Sequence, residues 1–158
     1  MIPTYNEREN IEALLMGLSI LEIPGYVLHS LVVDDNSPDG TGAIVKTLAV
    51  QNKNIDLVTR TTERGRGSAG IAGFKIALEQ KADVVVEMDA DFSHDPKYLP
   101  AMIACLDANH CDVVIGSRFV PGGADSDRGI HRILVTRLAG LYVRSMLGVQ
   151  VKDVSSGF

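Results

Sequence analysis

At 158 residues the chain is long enough for one domain with a real buried core. Hydrophobic residues make up 46% and charged residues 22%, a globular balance that excludes a disordered chain. The formal net charge of −5, with no interleaving of basic and aromatic residues, argues against nucleic acid as a partner.

That charge is unevenly spread. Residues 1–117 carry 17 acids and 9 Lys/Arg, whereas residues 118–158 carry 3 acids and 6 Lys/Arg. An acidic part suits a metal and a basic part suits phosphates or an anionic surface, although chance solvation of two faces gives the same split. No apolar run approaches the roughly 20 residues that cross a bilayer, and no signal peptide opens the chain. The expected location is cytoplasmic, with any membrane contact peripheral. Cys105 and Cys111 have no metal-ligand or redox spacing and read as incidental reduced thiols.

In chain order, residues 8–21 place Ile11, Leu14, Leu15 and Leu18 at helical spacing. Residues 27–33 read as a strand that stops at Asp34-Asp35. Asn36-Ser37-Pro38-Asp39-Gly40 is a turn, followed by a helix over 41–50 and a strand over 55–59. A helix over 68–80, an apolar strand over 83–88 and a helix over 96–108, with its proline in the first turn, come next. Residues 112–116 read as a strand. After a loop rich in Gly and Asp, residues 130–147 form a long amphipathic helix with several arginines.

Repeated strand–helix–strand units predict an α/β fold: a mainly parallel sheet with helices on both faces, in a single domain over residues 1–158. Met1-Ile2-Pro3 reads as the last residues of a strand, and Ser155-Ser156-Gly157-Phe158 completes no element. The expectation is a fragment truncated at both ends. Ligands of such sheets bind beyond the carboxyl ends of the strands. Asp34 and Asp35, Asp89 and Asp91, and Ser117 and Arg118 all fall there.

Asp89-Ala90-Asp91 follows an apolar strand, and in a continuing strand residues two apart face one side. Two such carboxylates suit Mg²⁺ or Mn²⁺ with open positions for substrate phosphates. A polar turn with a helix cap is the plainer reading. His94 is expected in solvent and Asp95 as the cap of the next helix. Near the start, Tyr5 can stack on a base while Thr4 and the backbone bond its edge. Asp35 can accept ring N–H donors, whereas Asp34 reads as a turn former.

Ile2-Pro3-Thr4-Tyr5-Asn6-Glu7, Val32-Val33-Asp34-Asp35-Asn36-Ser37-Pro38-Asp39-Gly40-Thr41 and Met88-Asp89-Ala90-Asp91 together resemble glycosyltransferase family 2. Gly116-Ser117-Arg118-Phe119-Val120 with Gly122-Gly123, and the closing Ser155, Gly157 and Phe158, resemble its dolichol- or polyprenol-phosphate mannosyltransferases. The resemblance implies a GT-A, Rossmann-like fold. It also implies inverting transfer of mannose from GDP-mannose to a dolichyl or polyprenyl phosphate at a membrane surface. By the same resemblance Pro3, Thr4, Tyr5, Glu7, Val33 and Asp35 would surround the nucleoside. Asp89, Ala90 and Asp91 would meet the diphosphate and metal, and Ser117, Arg118 and Arg132 would hold phosphates; apart from the resemblance, Arg128 is a further basic candidate for that task. Family members often carry glutamine where this chain has Ser93, a shorter ligand. Arg137 and Arg144 of the last helix face either anionic lipid or water.

Three other readings remain. UDP-glucose in place of GDP-mannose would make a glucosyltransferase of the same superfamily. Gly65-Arg66-Gly67-Ser68-Ala69-Gly70 fits the dinucleotide fingerprint, but residues 60–64 intrude where a tight turn is needed. A binding protein without catalysis would be marked by loss of the aspartate pair, and both aspartates are present.

Overall fold

The computed structural model describes residues 1–120, 130–149, 151–154 and 156–158, excepting the side chains of 130–134 and 137. Although the sequence offers no boundary, the structure divides into two compact units, Met1–Ala104 and Cys105–Phe158.

In the first unit, β1 (Ile2–Thr4), β2 (Ser30–Asp34) and β3 (Ile55–Thr59) form a parallel sheet in that order. Every residue of β2 is buried, as a central strand covered on both faces requires. The register pairs Thr4 with Asp34 and Asp34 with Thr59, so the three carboxyl ends lie level. On the free side of β1, the Met1 nitrogen lies 2.8 Å from Val86 O and Met88 N lies 3.2 Å from Met1 O. These are the two bonds of a parallel pairing around Glu87. The order across the sheet is therefore residues 86–88, β1, β2, β3. The direction of winding reverses between β1 and 86–88, and at such a reversal a crevice opens beyond the strand ends.

Helices α1 (Ile11–Ser19) and α2 (Thr41–Gln51) join β1 to β2 and β2 to β3, and they pack on one another. Helix α3 (Arg66–Glu79) returns across the sheet in the opposite sense, so right-handed crossovers put it on the other face. Side-chain alternation agrees. Leu31 and Val33 join Met1 and Ala69 in a core with Val58, Ala72, Ile76 and Val85. Asp34, out of phase with them, lies 3.3 Å from where a side chain on Gly42 of α2 would begin. The predicted α1 stripe of Ile11, Leu14, Leu15 and Leu18 is wholly buried.

Several boundaries move for identifiable reasons. Helix α1 begins at Ile11 and not at residue 8, because Arg8 N bonds Asp39 Oδ2 at 3.0 Å and ties that turn to the neighbouring loop. Strand β2 begins at Ser30, whose N–H reaches Asn54 O at the start of β3; Val27 before it is exposed. Helix α3 starts two residues early, since Gly65 alone adopts the φ of 121° that turns the chain into it. The helix predicted over 96–108 opens as a 3-10 turn, Pro96–Tyr98, capped by Asp95, before α4 (Leu99–Asn109).

Two predicted strands are not regular strands. Among the described residues, 83–88 pair with the sheet through the two bonds to Met1 and form no longer ladder. In the second unit, residues 112–116 make no ladder, and Gly116 N bonds Phe158 O at 2.7 Å instead. That unit also holds α5 (Ile130–Leu147), at its predicted limits. Cys105 and Cys111 are free thiols. Among the described residues no helix is long and apolar enough to cross a membrane.

Candidate active site

The crevice at the sheet reversal is a cavity of about 520 Å³, within the range of small-molecule sites. Pro3, Thr4, Tyr5 and Glu7 line it from β1, Asp35 from the end of β2, and Asp89, Ala90 and Asp91 from the end of the 86–88 segment. Arg64, Gly65, Arg66 and Ala69 close it from the start of α3. Residues far apart in the chain meet because every contributor follows a carboxyl end of the same parallel sheet.

Each wall has its own fixings. Thr4 is buried and donates its hydroxyl to Asp34 Oδ1 at 2.9 Å. Asp34 also accepts Ser37 N at 2.9 Å and the Ser37 hydroxyl, so it is the turn former expected. Tyr5 is half-exposed, and the Arg64 guanidinium lies 5.6 Å from its ring centre. Glu7 is anchored through its N–H to Thr41 Oγ1, and its carboxylate accepts from Asn10. Val33 departs from expectation. It is fully buried with Met1 and Ala69 beneath α3, so strand alternation places its side chain in the core and not at the cavity.

Asp35 lines the cavity, yet both its oxygens already have partners. Arg60 Nε lies 2.7 Å from Oδ1, and Gly65 N donates to Oδ2 at 2.7 Å. A base N–H would have to use the remaining lone pairs. Arg60 follows Thr59, which pairs with Asp34, so it sits one step along the same row as Asp35. That register was the available signal, and sequence reasoning missed it. The glycine-rich motif also has a local purpose here: the Gly65 N–H that a dinucleotide fold turns to phosphate is spent on Asp35.

The aspartate pair is held from three sides. Arg66, the first residue of α3, places its guanidinium 2.7 Å from Asp89 Oδ1. His94 is not the solvent-facing residue expected. Its ring folds back so that Nδ1 accepts Asp89 N at 2.9 Å, leaving Nε2 3.9 Å from Asp89 Oδ2. Ser93 N donates to Asp91 Oδ1 at 3.0 Å. Partial burial raises the Asp91 pKa, but the hydrogen bonds from the Ser93 hydroxyl and amide outweigh it and leave the carboxyl below its ordinary value. Phe92 between them has a φ of 61°, a left-handed conformation that costs a β-carbon residue about 1 kcal/mol or more.

Two carboxylates suit a divalent ion that is completed by water and substrate phosphates. Among the described residues no group of three or more His, Cys, Asp or Glu side chains gathers to form a fuller cage. The chemistry of these two carboxylates is compatible with Mg²⁺ or Mn²⁺. Ser93 serves Asp91, in keeping with its short side chain.

Ser117 and Arg118 belong to the second unit. Arg118 grips the buried Asp153 with Nε 2.8 Å from Oδ2 and a terminal nitrogen 2.9 Å from Oδ1. Ser117 Oγ accepts Phe119 N at 3.2 Å. Asp153 was not foreseen as a partner. The side chains of Arg132 and Arg137, and the whole of Arg128, lie outside the described residues.

Comparison with known proteins gives the family. Residues 1–157 match the model of Glycosyl transferase family 2. The chain belongs to glycosyltransferase family 2, and its Rossmann-like parallel sheet is the GT-A type. Over its whole length it is 42% identical to the polyprenol monophosphomannose synthase of Mycolicibacterium smegmatis, covering 58% of that protein. It is 43% identical to the undecaprenyl-phosphate mannosyltransferase of Micrococcus luteus, covering 63%. With the dolichol-phosphate mannosyltransferase of Pyrococcus furiosus it shares 39% identity and covers 44%. The chain thus spans roughly half to two thirds of the relatives it matches.

Proposed function

We propose that the protein transfers mannose from GDP-mannose to a polyprenyl or dolichyl phosphate, with inversion at the anomeric carbon. The observation that carries this reading is the shared lining of one cavity by Tyr5 and Glu7 on one side and Asp89 and Asp91 on the other. An aromatic ring for a base and two carboxylates for a metal-borne diphosphate are what a nucleotide sugar needs. The mannosyl and polyprenyl parts rest on the names of the relatives.

In the proposed step a phosphate oxygen of the acceptor attacks the anomeric carbon. The bond from that carbon to the diphosphate breaks, and its electron pair leaves with GDP. The acceptor is already an anion near neutral pH, so no base is required, and the site's tasks are positioning and stabilising the leaving group. Asp89 and Asp91 would hold Mg²⁺ or Mn²⁺, which neutralises charge on the departing diphosphate. Tyr5, Glu7 and the Asp35 edge would orient the nucleoside. Ser117, Arg118 and Arg132 are proposed for the acceptor phosphate. A cavity of about 460 Å³ in the second unit, lined by Phe119, Leu138 and Leu141 with Arg144 and Lys152, supports a partner that is both lipid and anionic. The corresponding location is the cytoplasmic face of a membrane.

Thermal shift tests the donor. GDP with Mn²⁺ should stabilise the protein and NAD should not; a preference for UDP would transfer the reading to a glucosyltransferase. Asp91→Ala should abolish transfer of mannose to polyprenyl phosphate with the melting temperature little changed. Undiminished transfer would reject the site.

A further inference from the structure

Arg66 and Asp89 face one another across the cavity in a way that the proposed transfer does not use. The guanidinium of Arg66 lies 2.7 Å from Asp89 Oδ1, on the carboxylate where a divalent ion would bind. The arginine stands at the first turn of α3, and its side chain is 54% exposed. The Asp89 backbone is fixed by the His94 ring on its N–H, and its shorter side chain is 30% exposed. The longer and more exposed arginine side chain is therefore the partner with more room to change its position.

We infer that Arg66 is a movable counter-ion that occupies Asp89 when the donor is absent and transfers to the donor's diphosphate when it binds. This rests on the nucleotide-sugar reading above. Guanidinium and divalent metal compete for one carboxylate, so metal alone binds against an existing ion pair. A diphosphate offers the guanidinium a bidentate partner within the same cavity and releases Asp89. Metal and nucleoside diphosphate thereby favour each other's binding, and linkage requires that the effect be reciprocal. Arg66 acts in this scheme on the donor directly and on the metal through the occupancy of Asp89.

Binding measurements on the unmodified protein, Arg66→Gln, Arg66→Lys and Asp89→Asn test it, with Mn²⁺ followed by the resonance of the free ion and GDP by calorimetry. An exposed ion pair is worth enough to shift affinity by about two- to fivefold. Arg66→Gln should bind Mn²⁺ alone tighter by that factor and GDP alone more weakly, and the coupling between them should shrink by a similar factor. Arg66→Lys should fall between. Asp89→Asn should bind GDP alone more tightly, because its Arg66 is already released. Mn²⁺ affinity unchanged or reduced in Arg66→Gln, with coupling intact, would overturn the inference and leave the donor site standing. Absence of any Mn²⁺ binding to the unmodified protein with GDP present would overturn both.

Discussion

Arg60 and Asp35 form a buried ion pair across the ends of β3 and β2, with side chains only 9% and 5% exposed. The same guanidinium reaches Ser68 Oγ at 3.0 Å, and the same carboxylate accepts Gly65 N at 2.7 Å. The pair is thus a hub that holds the loop carrying Arg64 and the start of α3 against the sheet. Breaking a buried pair by removing one member leaves an uncompensated charge, at a cost of about 3–5 kcal/mol. Arg60→Met should lose stability of that order in urea unfolding. It should also weaken GDP binding, because the Arg64–Arg66 wall loses its anchor. Arg60→Lys keeps the charge without the fork and should recover part of the stability.

Arg118 and Asp153 invite the complementary experiment in the second unit. Their two-point contact puts a fully buried carboxylate against a partly exposed arginine. Arg118→Lys removes one of the paired bonds and should cost about 1–2 kcal/mol by chemical denaturation. Asp153→Ala removes both of these bonds and should destabilise by more, about 3 kcal/mol. If Arg118 serves only the acceptor phosphate, both variants will keep the stability of the unmodified protein.

The sequence reveals what depends on short-range pattern. The Ile11, Leu14, Leu15 and Leu18 stripe, the limits of β3 and α5, and the Asp95 cap follow from periodicity and turn chemistry. The gathering of Tyr5, Asp35 and Asp91 follows from parallel topology, which sends all strand ends to one edge. What depends on a partner's position is not legible in the same way. Residues 27–29 have strand composition, but β3 supplies nothing opposite them before Ser30. Val33 is expected at the site from the family resemblance alone, and only the pleat reveals that it faces α3. Asp153 lies in a tail without period, so nothing local marks it for burial.

Gly73 offers a packing prediction. A methyl at this position would overlap the Met1 side chain and stand 3.3 Å from Val33 Cγ2. Helix α3 approaches β1 this closely because the residue has no side chain. Gly73→Ala gains helix propensity but must push a well-packed layer apart, a net loss of about 1–3 kcal/mol. Thermal unfolding should show the loss, and a more stable variant would mean that Met1 yields freely.

Asp39 sets the acid limit of one loop. Burial raises its pKa, but the hydroxyl and N–H of Thr41, with the N–H of Arg8, outweigh that and hold it below the ordinary aspartate value. A carboxyl lowered by folding contributes stability that is fully present above its unfolded pKa, about 3.9, and is lost as pH falls through the lower folded value. Asp39→Asn should therefore be less stable than the unmodified protein at pH 7. The gap should close as pH falls below about 4, since protonation then removes from the unmodified protein what the substitution has already removed. Urea midpoints for both proteins between pH 7 and pH 3 would show the two curves converging on the acid side. Parallel curves would mean that the Asp39 charge contributes nothing to holding Arg8 and Thr41 together.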